Sequence, residues 1–144
     1  MKLYTIGFTK KSAQTFFELL AENNVKTLID VRLNNKSQLA GFTKGNDLPY
    51  FLEKISEISY VHMPNFAPTD ELLKGYKKKE VNWAEYEKEY LSILNDRNIL
   101  SQFTPSILEN ACLLCSEPTP EKCHRRLLAE YLADNLDEVD VIHL

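Results

Sequence analysis

Cys112-Leu113-Leu114-Cys115-Ser116 is a near-continuous apolar run with no alternation of polar positions. A strand of that composition is covered on both faces, which is the habit of a parallel sheet sandwiched between helices. The rest of the chain supplies the covers. Leu3–Ile6 reads as a short strand ending at Gly7, and Ser12 opens a helical period through Phe16, Phe17, Leu19 and Leu20 that closes near Asn23-Asn24. Lys26–Arg32 and Ser59–Met63 read as the next strands, the latter stopped by Pro64, with a loop over Asn34–Asn46 and a helix over Asp47–Glu57 between them. Asn65–Thr69 reads as irregular, followed by a helix over Asp70–Lys79.

Trp83, Tyr86, Tyr90, Leu91 and Leu94 repeat at helical spacing from Asn82 to about Asn95, so their aromatic stripe is expected in the core. A short turn around Pro105–Glu109 precedes the apolar run. Thr119 as N-cap and Pro120 at the first helical position are expected to start the last helix, with Leu127, Leu128, Tyr131 and Leu132 facing the core. Val139–His143 closes the chain as a strand. Strands alternating with helices predict one α/β domain over residues 1–144, Rossmann-like and three-layered, with about five mostly parallel strands and helices on both faces. The expected strand order is 3-2-1-4-5, which sets the ends of the first and fourth strands together at the topological switch point, where a crevice opens.

A chain of 144 residues suits one core and is short for two. No apolar run reaches membrane-spanning length, and the N-terminal apolar stretch breaks at Gly7, so a soluble cytoplasmic protein is expected. Three cysteines cannot all pair within the chain and are expected reduced. The net charge is −4, unevenly spread: +4 over residues 1–79 and −8 over residues 80–144. An acidic chain argues against sequence-independent duplex binding, which needs many Lys/Arg–phosphate contacts, but leaves room for a small anion.

Around the last strand-to-helix junction stand Cys115, Glu117, Cys123, His124, Arg125 and Arg126. Cys115 and Glu117, two apart, share a strand face toward the crevice and set a carboxylate near a thiol. Cys123, placed in the first helical turn beside His124 and the arginines, is the first candidate nucleophile, because the helix dipole and neighbouring cations lower a thiol pKa; Cys115 is the other candidate, and the i, i+4 spacing to Leu127 equally fits Cys123 packing under the helix. Glu117 or His124 would move a proton, unless His124 is a local brace on a main-chain carbonyl, and Arg125 would fork onto an anion at the helix N-terminus unless it braces Asp30 or Glu117. Asp30 and Arg32 point the same way at the end of the second strand, in the site or locked together beneath it. Gly7, Thr9 and Lys10 would offer backbone N–H groups and charge to the anion. Cys112 and Cys115 are spaced like a zinc pair, with Cys123-His124 to complete four ligands. Positions three apart on a strand face opposite ways and adjacent helical residues diverge, so no metal or other cofactor is expected. The Lys74–Lys79 run reads first as a solvated helix face.

Thr5-Ile6-Gly7, Ile29-Asp30-Val31-Arg32, Tyr60-Val61-His62-Met63-Pro64, Trp83 with Tyr86, Leu113-Leu114-Cys115-Ser116-Glu117, Cys123-His124-Arg125 and Val141-Ile142-His143-Leu144 together resemble the Domain of Unknown Function 488 family. The resemblance implies a Rossmann-like three-layer domain and no settled activity. Phe8 stands where the family more often has His or Tyr. The function expected from the residues is an enzyme of hydrolase or group-transfer type acting on a small anionic or nucleotide-like molecule at the strand-exit crevice. The alternative is a non-catalytic nucleotide- or nucleic-acid-binding module. A rhodanese-like or cysteine-phosphatase-like variant is weaker, since Cys115 and Arg125 stand ten residues apart across a proline-rich turn.

Overall fold

β4 (Ala111–Cys115) is buried at every residue, and it occupies the middle of the sheet. We describe the protein from a computed structural model that covers residues 1–36 and 40–144; residues 37–39 of the expected loop lie outside the described residues. Five strands, β1 (Lys2–Gly7), β2 (Thr27–Asp30), β3 (Ser59–His62), β4 and β5 (Asp140–His143), form one all-parallel sheet in the order β3-β2-β4-β1-β5. The expected order 3-2-1-4-5 is corrected: β4 inserts between β2 and β1, and β5 sits on β1. The reason is burial. The strand with no polar residue takes the position with neighbours on both sides, and the half-exposed β3 and β5 take the edges. The first and fourth strands do lie side by side, with Gly7 opposite Cys115.

Helices α1 (Ala13–Glu22) and α2 (Leu48–Ser56) cover one face, and α3 (Asp70–Lys77), α4 (Trp83–Asp96) and α5 (His124–Asn135) the other. Right-handed crossovers require this split, because the chain moves one way along the sheet from β1 to β3 and the opposite way from β3 to β5. Each face has its own core. Phe16, Phe17, Leu20, Leu48 and Leu52 pack on Tyr4, Ile6, Leu28, Cys112 and Leu114. Tyr86, Tyr90, Leu94, Leu127, Leu128 and Leu132 pack on Leu3, Ile29, Ala111 and Leu113. Strand parity therefore assigns Cys112 to the α1/α2 side and Cys115 to the α3–α5 side. Ser12, Thr69 and Asn82 cap α1, α3 and α4 by accepting the N–H of Thr15, Leu72 and Glu85.

The last helix starts later than expected. Thr119 and Pro120 belong to the turns before it, and Cys123 is its N-cap, with extended backbone (φ −134°, ψ 140°) and no side-chain cap bond. Cys123 therefore points where the loop aims it, not where a helical turn would.

Candidate functional site

Behind the exit of β4, on the α3–α5 face, a cavity of about 110 Å³ is lined by Cys115, Ser116, Glu117, Lys122, Cys123 and His124 on the strand side and by Leu73, Tyr76, Trp83 and Tyr86 on the helix side. It adjoins a larger cleft of about 710 Å³ that shares Leu73, Tyr76 and Glu117 and adds Lys77, Lys79, Val81 and Asn82. The cavity is floored by sulfur and imidazole and walled by aromatic rings. Trp83 and Tyr86 stack at 5.1 Å between ring centroids, and Tyr76 meets both. A further cavity of about 800 Å³ lies at α2 and β3 among Pro49, Glu53, Lys54, Glu57 and Tyr60, with no thiol or imidazole among the described residues that line it.

His124 is buried and braced. Its Nε2 is 2.9 Å from the Val31 carbonyl oxygen, an acceptor, so Nε2 carries a proton and donates it there. Cys115 Sγ stands 3.5 Å from Nδ1 and 3.7 Å from Nε2. The near-equal separations set the sulfur off the Nδ1 axis, beside both ring nitrogens. The neighbouring Cys123 thiol, then the N–H groups of Ser116 and Glu117 and the Arg125 charge, hold the Cys115 thiol below its ordinary value despite burial. The adjacent Cys115 and burial push Cys123 well up. Both cysteines line the cavity, Cys115 from the end of β4 and Cys123 from the N-cap of α5 rather than from its first turn. Burial alone raises Cys112.

The structure gathers Cys115, Glu117, Cys123 and His124 on one cavity and places the other expected residues elsewhere. Arg125 is fully buried: Nη1 donates to the Glu117 main-chain oxygen (2.6 Å) and Nε to Thr5 Oγ1 (3.3 Å), while Nη2 has no hydrogen-bond partner among the described residues. It is corrected from anion clamp to brace, and the partner is a carbonyl, not the carboxylate of Asp30 or Glu117. No ion pair joins it to a carboxylate among the described residues. After burial, its charge is the next cause that depresses the pKa of both Lys11 and His143.

Asp30 and Arg32 lie on the other face of the sheet. Asp30 is in register with Leu114, one residue short of Cys115, so parity turns it toward α1 and α2. There Arg32 forks onto it through Nε (2.9 Å) and Nη2 (2.7 Å), Nη2 also donates to the Thr43 carbonyl oxygen, and Tyr60 donates its hydroxyl to Asp30 Oδ2 at 2.6 Å. They are locked beneath the sheet, not in the site. Gly7, Thr9 and Lys10 form no anion cradle either: a Cβ at Gly7 would stand 1.6 Å from the Glu117 carbonyl oxygen, and the Thr9 N–H donates to the Ser116 carbonyl oxygen at 3.1 Å. Lys10 is exposed with a positive φ and lines neither cavity nor cleft. This loop buttresses the Cys115–Glu117 segment.

Three contributors escaped the sequence reading. The Val31 carbonyl is a main-chain group with no residue signal. Trp83 and Tyr86 were legible as a stripe but not as a wall, since a helical period does not say which aromatic meets a cavity, and Tyr76, on α3, lies outside that stripe. Lys77 and Lys79 stand at the cleft, while Lys74 pairs with Asp70 at 2.8 Å. The expected divergence of Cys123 and His124 also fails: with Cys123 extended before the helix, both turn toward Cys115. The objection to a metal holds only for Cys112.

A protein-family model described as Domain of unknown function DUF488 matches residues 12–132. The chain belongs to this family. The matched span of this DUF488 domain carries Cys115, Glu117, Cys123 and His124, whereas Gly7 on β1 and His143 on β5 fall outside it. No curated protein and no solved structure matches the chain. None of the described helices is long and apolar enough to cross a membrane.

Proposed function

We propose that this domain is an enzyme of hydrolase or group-transfer type that takes a small anionic, nucleotide-like molecule in the cleft beside α3 and works at the Cys115–His124 floor. The observation that carries the reading is the meeting of two sulfurs, a braced imidazole and the Glu117 carboxylate in one cavity that adjoins the cleft. Each group has a task there. Tyr76 and Trp83 offer aromatic faces to a planar moiety, and Lys77 and Lys79 offer cations to its anionic end. Glu117, exposed at the junction of cavity and cleft, is placed to exchange protons with bound substrate and solvent alike. Cys115 presents an electron-rich sulfur to an electrophile on the floor. Cys115 and Arg125 share no anion-cradling loop, so the rhodanese-like variant has no support from this arrangement.

The test is turnover of a panel of nucleosides and their mono- and diphosphates, followed by product chromatography. Wild type is expected to convert at least one, and Glu117→Gln to lower kcat by about 10²–10⁴-fold with an unchanged melting temperature. Absence of turnover, together with polynucleotide binding that falls steeply with salt, would replace the enzyme by the non-catalytic module.

A further inference from the structure

The Cys115 and Cys123 sulfurs and one His124 ring nitrogen lie within 4.8 Å of one another, and all three residues are buried. We propose that these atoms bind a thiophilic metal cation, zinc foremost, as a two-sulfur, one-nitrogen site whose open side faces the cavity and Glu117. The inference rests on the reading above only in taking this cavity as the working site.

Four features support the site. Zinc holds sulfur at about 2.3 Å and imidazole nitrogen at about 2.0–2.1 Å, which at a tetrahedral angle separates the two by about 3.6 Å. Cys115 Sγ and His124 Nδ1 are 3.5 Å apart, so the cage is close to size, and with Sγ also 3.7 Å from Nε2 the ring has to turn about its Nε2 contact on binding to bring Nδ1 onto the cation. The bond from Nε2 to the Val31 carbonyl is the outer contact that metal-bound histidines use to fix tautomer and orientation. Cys123 occupies an N-cap, where Ser, Thr, Asn or Asp would bond the free N–H groups; it makes no such bond and turns to Cys115 instead. Finally, Cys112 packs in an apolar cluster as a buried cysteine ordinarily does, whereas Cys115 and Cys123 belong to neither cluster among the described residues.

Two thiolates and an imidazole select zinc or copper(I) over magnesium or calcium, whose ligands are oxygens. Three protein ligands with one open side is the pattern of a zinc that works on substrate, since structural zinc closes its shell with four. Glu117 is not one of the converging ligands yet lines the same cavity, so it is free to carry protons beside the cation.

The experiment is titration of the reduced, metal-free full chain with Co²⁺ in the absence of oxygen, followed by Zn²⁺ displacement. We expect one equivalent of Co²⁺ with a thiolate-to-metal charge-transfer band and tetrahedral visible bands, both abolished by one equivalent of Zn²⁺. Cys115→Ser and Cys123→Ser should each weaken zinc binding at least about 100-fold, given the several kcal/mol each ligand contributes. Cys112→Ser and Glu117→Gln should leave it intact. A wild-type spectrum without a sulfur band overturns the inference whatever the variants do, as does binding indifferent to Cys123→Ser. Turnover that needs Glu117 but no metal would leave the enzyme reading standing and this one fallen; a sulfur-ligated cobalt spectrum without turnover would do the reverse.

Discussion

Arg125 carries much of the site's architecture without touching its cavity. One guanidinium holds the Glu117 carbonyl against Gly7 and the Thr5 hydroxyl in β1, and Thr5 in turn meets His143 Nδ1 at 2.6 Å. Truncation leaves a cavity the size of the largest fully buried side chain and a buried carbonyl without its donor. Arg125→Ala should therefore cost about 2–5 kcal/mol in urea denaturation, from cavity formation and the lost hydrogen bonds. Unchanged stability with lost substrate binding would return Arg125 to the ligand. The sequence marked this residue correctly as one of two things and could not choose, because a helix-start arginine looks the same whether it faces solvent or a main-chain carbonyl.

At the scale of the element, the end of β2 shows how one strand serves both faces. Val31 turns its carbonyl to His124, while Asp30 and Arg32 form a buried pair on the opposite side, closed by Tyr60 and by Phe8, whose ring centre is 5.3 Å from the guanidinium carbon. Arg32→Ala would leave Asp30, fully buried, without its cation; the expected loss is about 3–5 kcal/mol by chemical denaturation. Pairing it with Asp30→Asn should recover part of that loss. A cost below about 1 kcal/mol for Arg32→Ala alone would show the pair to be far more hydrated than its burial indicates. The Leu28, Asp30, Arg32 spacing already contained the answer: those residues share the face of Leu28, and once Leu28 is assigned to the α1/α2 core, the pair is excluded from the Cys115 side.

For the whole molecule, the alkaline limb of stability follows from phenols held neutral. Burial and the bond to Asp30 push the Tyr60 hydroxyl from 10.0 to about 12, and burial raises Tyr86 and Tyr90 as well. The unfolded chain releases these protons first, so stability is fully present below about pH 10 and falls as pH rises toward 12. Tyr60→Phe should make that decline shallower in pH-dependent melts, and an unchanged slope would mean that Tyr60 ionises as freely in the folded protein as in the unfolded one. Fold class was legible in the sequence because it depends on local signals: the apolar run of β4, the helical periods, and the caps Ser12, Thr69 and Asn82 all act within a few residues. The cluster of Cys115, Glu117, Cys123 and His124 was legible too, being contiguous at one strand exit. Strand order was not, because β4 competes with β1 for the centre through burial summed over the whole sheet. Nor were the start of α5, the partner of Arg125, or the convergence of Cys123 and His124 on one sulfur. Those depend on where a turn lands against other strands, and only tertiary packing decides that.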